Sequence, residues 1–89
     1  MPAARGSTLM AARVTLISKP GCHRCDDARV IIAAVTAELG EEFVEVNMIE
    51  DPALTEQYAE LIPVTLVDGR QHDYWRVSPD RLRAALTTP

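Results

Sequence analysis

Cys22 and Cys25 are the only cysteines in the chain, and just His23 and Arg24 separate them. Thiols at this spacing exchange with disulfides or hold a soft metal. A bridge between them closes a loop too short to remove much entropy from the unfolded chain, so a purely structural staple is the wrong reading. A closed zinc site needs a full tetrahedral ligand set, and the only further soft donors are the unpaired His23 and His72, which disfavours such a site. An open two-thiolate site for a soft monovalent metal stays open as an alternative.

Redox chemistry places its own demand on the surrounding structure. If a helix begins at the first cysteine, the free backbone N–H groups and the macrodipole there stabilise a thiolate. Lys19, His23 and Arg24 push in the same direction, while Asp26 and Asp27 push back. Cys22 is then the attacking thiolate. Cys25, one turn further in, is the shielded thiol that resolves a mixed disulfide formed at Cys22. Asp26 and Asp27 themselves read as first-turn helix acids.

The flanking sequence supplies those elements. Val14-Thr15-Leu16-Ile17 is a β-branched run suited to a buried strand, and Ser18-Lys19-Pro20-Gly21 ends it. Cys25, Ala28, Ile32, Val35 and Leu39 then recur at helical spacing, with Gly40 as the stop. Phe43 to Met48 alternates with period two, so strand, helix and strand form a right-handed parallel crossover. Asp51-Pro52 caps a second helix carrying Leu54, Tyr58 and Leu61, predicted to run to about Leu61 before Pro63 stops it. Val64–Val67, the turn Asp68-Gly69 and Gln71–Arg76 read as a hairpin. Ser78-Pro79-Asp80 caps a last helix with Leu82, Ala85 and Leu86 on one face. The predicted order is β-α-β-α-β-β-α. Copper-carrying modules that place a cysteine pair after their first strand resemble βαββαβ and end in a strand instead. His72 reads as a solvated strand residue, and Trp75 as packing beside the hairpin.

The chain has 89 residues, 47% hydrophobic and 25% charged, which describes one compact domain. Core burial alone is marginal at this length. Thirteen acids against nine bases give a net charge of −4, which argues against a nucleic-acid or anionic-membrane footprint. No apolar run approaches the ~18 residues of a membrane span. Met1–Arg13 lacks an apolar stretch of signal-peptide length. The cytoplasm is the expected compartment and a monomer the expected state. Residues 1–13 are expected to be a flexible tail, with Met10 an equally good start, and residues 14–89 the domain.

The run Val14-Thr15-Leu16-Ile17-Ser18-Lys19-Pro20-Gly21-Cys22-His23-Arg24-Cys25 resembles the opening of a glutaredoxin, a member of the thioredoxin-like superfamily. The resemblance spans Val14 to Leu86. It is nearest to short bacterial glutaredoxin-like proteins with a Gly-Cys-His-x-Cys-Asp motif and a late Pro-Val…Asp-Gly-Arg segment, here Pro63-Val64 and Asp68-Gly69-Arg70. The fold it implies is α/β: a four-stranded mixed sheet in the order 2-1-3-4, with helices one and three on one face and helix two on the other. It also implies a cis bond between Ile62 and Pro63, with Pro63 shaping the site and the backbone of Ile62 presented to substrate. From the sequence alone, Pro63 is only a helix stop. The implied catalytic pair is Cys22 and Cys25, and the implied substrate-binding set is Lys19, His23, Arg24, Ile62, Pro63 and Ser78.

The activity the resemblance implies is reduction of protein or low-molecular-weight disulfides, with no bound cofactor. A low-molecular-weight thiol, glutathione or another, would serve as cosubstrate, and a thioredoxin-type reductase is a further candidate partner. Two departures bear on this. His23-Arg24 stands where better-known glutaredoxins carry Pro-Tyr, and Trp75-Arg76 lies in the region of their Gly-Gly pair, so slow exchange with glutathione is expected. The acid that thioredoxins carry ahead of their motif has no counterpart between Val14 and Cys25. Other readings of the same thiolates are a metal-carrying or iron–sulfur-bridging module and a redox-sensing interaction domain.

Overall fold

The structure, a computed structural model, describes residues 12–87. Most of the expected tail, residues 1–11, lies outside the described residues, as do residues 88 and 89. Strand β1 (Val14–Ser18) is followed by helix α1 (His23–Leu39), β2 (Phe43–Asn47), a short 3-10 turn (Met48–Glu50), α2 (Pro52–Tyr58), β3 (Val64–Val67), β4 (Arg70–Tyr74) and α3 (Pro79–Thr87). The strands form one sheet in the order β2-β1-β3-β4. β1 pairs in parallel with β2, Val14 opposite Phe43 and Ser18 opposite Asn47. It pairs antiparallel with β3, Ile17 opposite Val64. The element order, sheet order and mixed pairing are those expected.

Alternation along β1 assigns the two faces of the sheet. Val14 and Leu16 point into a core cluster with Ala28, Ile32 and Val35 of α1 and Leu82 and Leu86 of α3. Ile17 points the other way, into a smaller cluster with Met48, Tyr58 and Val64 that Leu54, Leu61 and Ile62 cover. Helices α1 and α3 therefore share one face and α2 occupies the other. Arg83 ties the paired helices together at the surface, with Nε 2.7 Å from Glu38 Oε2.

The element limits differ from the sequence reading in three places, each with a local cause. The second strand stops at Asn47 because that side chain accepts from the N–H of Ile49 and starts the 3-10 turn. Helix α2 ends at Tyr58, three residues early, where the Leu61 N–H closes a turn onto the Tyr58 carbonyl at 2.8 Å. Ile62, as the residue before a proline, is disfavoured from helical geometry. Strand β4 ends at Tyr74 because Trp75 has a φ of 66°, outside extended geometry. The hairpin turn itself is as expected, Asp68 and Gly69 both at positive φ.

Arg13, assigned to the tail from sequence, is held at the sheet end remote from the cysteines. Its Nε and Nη2 donate to the two carboxylate oxygens of Asp68, each at 2.9 Å, and its Nη1 donates to the Leu86 carbonyl at 3.0 Å. The same Nη1 reaches Glu41 at 3.3 Å. One guanidinium thus joins the start of β1, the hairpin turn, the α1–β2 loop and the end of α3.

Candidate redox site

The cysteine pair sits where β1 hands over to α1. Gly21 has a φ of 76°, a left-handed conformation that costs glycine nothing and turns the chain sharply into the helix. Cys22 is the N-cap of α1, with extended backbone, and its Sγ accepts the Cys25 N–H at 3.1 Å. The Cys22 carbonyl accepts the Asp26 N–H, also at 3.1 Å. The Cα atoms are 5.1 Å apart and the two sulfurs are bonded, a separation usual for disulfides. Burial is unequal: Cys22 is half-exposed, whereas Cys25 is 0% exposed. The helix start and the asymmetry inferred from spacing are both present.

The remaining expected site residues fall in three places. Lys19 and His23 are exposed on the turn and first residue around Cys22, and Arg24 is exposed between the cysteines. Ile62 and Pro63 precede β3, and because Ile17 pairs with Val64 they lie at the same end of the sheet as the β1–α1 turn. The Ile62–Pro63 bond is cis. Pro63 is buried and Ile62 half-buried. Among the described residues nothing hydrogen-bonds the Ile62 backbone N–H or carbonyl. Ser78 is half-buried, but its Oγ accepts the Arg81 N–H at 3.2 Å and so caps α3. The Ser78 N–H donates to Asp73 Oδ2 at 3.3 Å.

Trp75 packs beside the hairpin, as expected, and also lines a groove. Its backbone N–H donates to the carbonyl of Pro63 at 2.8 Å and of Leu61 at 3.2 Å. Its indole Nε1 donates to the Glu60 carbonyl at 3.0 Å. The residue is nevertheless 48% exposed, and its ring packs edge-on against Tyr74, centroids 5.1 Å apart. Trp75 is thus a fixed, open aromatic wall beside the proline. With Arg24, Arg76 and Val77 it lines two neighbouring grooves of about 580 and 590 Å³.

A second feature was invisible in the sequence. Ser18, 3% exposed, donates from Oγ to Glu45 Oε2 at 2.6 Å. Arg29 grips the same carboxylate through Nε and Nη2, both at 2.6 Å, and Asp26 through Nη1 at 2.8 Å. The Arg29 guanidinium, helped by the Ser18 hydroxyl, holds the Glu45 carboxyl below its ordinary value of 4.5 against the opposing effect of burial. This lattice clamps the first turns of α1 to β2 and to the end of β1. Asp26 belongs to it, which goes beyond a first-turn helix acid. His72, read from sequence as solvated, has a side chain only 13% exposed. Its Nε2 is buried with no hydrogen-bond partner among the described residues, 3.9 Å from Asp73 Oδ2. The β3–β4 irregularity at Thr65 and Leu66 displaces it from simple alternation.

Among the described residues no three His, Cys, Asp or Glu side chains converge as metal ligands would, and no helix is long and apolar enough to cross a membrane.

Comparison with known proteins agrees with this geometry. An uncharacterized protein of Mycobacterium tuberculosis (strain ATCC 25618 / H37Rv) is 32% identical over 79 residues, covering 83% of this chain and 81% of the relative. The X-ray structure of the structural-genomics target XcR50 from X. campestris superposes with a TM-score of 0.70 at 33% identity, over 85% of this chain and 99% of that one. Thioredoxin from Fasciola hepatica superposes with a TM-score of 0.59 over 97% of this chain and 88% of its own, at 18% identity, and so shares the fold. Residues 13–87 match the glutaredoxin-like domain family (DUF836), so the chain belongs to that family and has the thioredoxin-like fold.

Proposed function

We propose that the protein is a thiol–disulfide oxidoreductase that reduces disulfides of proteins or small molecules through Cys22 and Cys25. The observation that carries this reading is the bonded pair at the start of α1, with one sulfur reachable and the other enclosed. In the reduced protein, the Cys22 thiolate attacks one sulfur of a substrate disulfide. A Cys22–substrate disulfide forms and the first substrate thiolate leaves, taking a proton from solvent. Cys25 then gives up its proton and attacks the Cys22 sulfur. The second substrate thiol departs and the Cys22–Cys25 disulfide closes. Two electrons pass from protein to substrate, which leaves as two thiols.

The Cys25 N–H aimed at Cys22 Sγ supports Cys22 as the anionic partner, because a hydrogen bond to the charged form favours it. The unsatisfied Ile62 backbone supports a role in holding an extended substrate strand by main-chain hydrogen bonds. An external thiol or a thioredoxin-type reductase returns the disulfide to two thiols. Glutathione is a poor choice for that step, because the Trp75 ring and Cβ occupy ground that a closely approaching peptide backbone needs. The test is reduction of a protein disulfide by catalytic amounts of the protein, coupled in parallel to glutathione with its reductase and to a thioredoxin reductase. Turnover in the second coupling above the first is expected; no turnover in either, with both cysteines intact and reduced, would refute the reading.

A further inference from the structure

The cations of this acidic chain are unevenly committed. Arg13, Arg29, Arg81 and Arg83 are all engaged by carboxylates. Among the described residues Lys19, Arg24, Arg70 and Arg76 have no ion pair. Arg70 lies in the hairpin beside Asp68 and contributes to that acid's lowered pKa. The uncommitted positive charge that remains is therefore gathered at the redox end. Arg24 and Arg76 line both grooves, with the Trp75 ring between them in sequence and at the wall.

The second groove continues away from the cysteines along α1. It passes Asp27 and Ala28 to Val30 and Ile31. Val30 is 69% exposed, so this end of the groove is apolar and open. From Arg24 to Ile31 the helix rises about 10 Å, enough to lie alongside about three extended residues. Of the two carboxylates near the grooves, Asp73 is engaged by Arg81 and the Ser78 N–H. Asp27 has no partner among the described residues and stands beyond Arg24 on the helix.

Taken with the oxidoreductase reading, on which it rests, we propose that this groove docks an acidic polypeptide segment carrying the substrate disulfide. Carboxylates beside the substrate cysteine meet Arg24 and Arg76. A planar or aliphatic side chain lies on the Trp75 face, where a guanidinium and an indole together suit an amphipathic group. An apolar residue further along covers Val30 and Ile31, and the carboxylate of Asp27 excludes a second acid there. A small anionic thiol would satisfy the arginines but leave the apolar stretch along α1 uncovered, which is why a polypeptide is the better fit.

The test uses the reduced full-length protein and three disulfides: a cystine peptide with glutamates flanking the disulfide, the same peptide with those glutamates changed to glutamine, and glutathione disulfide. Second-order rates should favour the acidic peptide over its amide by about three- to tenfold at low ionic strength, the range set by two exposed ion pairs. That preference should shrink towards unity with added salt and in the double variant Arg24→Gln/Arg76→Gln. Equal rates for the two peptides would overturn the docking assignment while leaving the oxidoreductase reading standing. Glutathione disulfide reacting as fast as the acidic peptide would overturn it in favour of a small anionic substrate. Failure to reduce any of the three would refute the oxidoreductase reading and the docking surface with it.

Discussion

The backbone N–H of Cys25 donates to Sγ of Cys22 at 3.1 Å, so the hydrogen bond that caps α1 ends on the sulfur proposed to attack substrate. In the reduced protein the same contact would favour the Cys22 thiolate. The neighbouring orphan N–H groups of the first turn act in the same sense.

From that contact and the unequal burial of the two sulfurs, the Cys25→Ser variant should accumulate a mixed disulfide between Cys22 and a protein substrate. Cys22→Ser should accumulate none. Non-reducing electrophoresis with mass spectrometry of the adduct reads the outcome. Equal trapping by both variants would contradict the assignment of Cys22 as the attacking group.

Trp75 stands at a φ of 66°, which a glycine adopts without strain. Trp75→Gly should therefore retain the fold while opening the ground beside Pro63, and should raise turnover in the glutathione-coupled assay several-fold. The same variant loses the indole bond to the Glu60 carbonyl, so a small fall in Tm accompanies the gain. An unchanged or lower rate with glutathione would show that Trp75 does not limit its approach.

Much of this was legible from short-range pattern. The β-branched run of β1, the helical spacing from Cys25 to Leu39 and the Asp68-Gly69 turn depend on neighbours in sequence, and they folded as read. The cis bond at Ile62–Pro63 came only from the family resemblance, because nothing local to a helix-stopping proline signals it. What the sequence hid is nonlocal. Ser18, Arg29 and Glu45 meet only after β1 and β2 pair, and Arg24 shares a groove with Trp75 and Arg76 only once the segment after β4 lies beside the start of α1. His72, read as a solvated strand residue, was misjudged for a related reason: it lies opposite the irregularity in the β3–β4 ladder, which only strand pairing reveals.

The Glu45 clamp predicts a pH dependence. Its carboxyl holds a proton less tightly in the folded protein than at its ordinary value of 4.5, so folding is favoured while the group is ionised. The contribution is complete above about pH 4.5 and is lost as the pH falls through the lower folded value. Glu45→Gln should cost about 1 kcal/mol near neutrality, and its stability should fall less steeply than the wild type on acidification. Urea midpoints measured from pH 7 to pH 3 compare the two; parallel curves would argue against the clamp.

Ile32 is 0% exposed at the centre of the cluster between the sheet, α1 and α3. Ile32→Ala should cost about 2–5 kcal/mol through lost transfer and the cavity left behind, a large part of the stability of so small a domain. Denaturant melts should show a lower midpoint with the slope unchanged.

The central claim is that Cys22 and Cys25 cycle between two thiols and one intramolecular disulfide as they reduce a substrate. Mass spectrometry after alkylation measures this directly on the reduced protein, before and after one equivalent of a protein disulfide is added. Both Cys22 and Cys25 should be alkylated beforehand and neither afterwards, with two substrate thiols released for each protein oxidised. Retention of both alkylatable cysteines after the substrate is added, or a product dominated by protein–protein disulfide dimers, would contradict it.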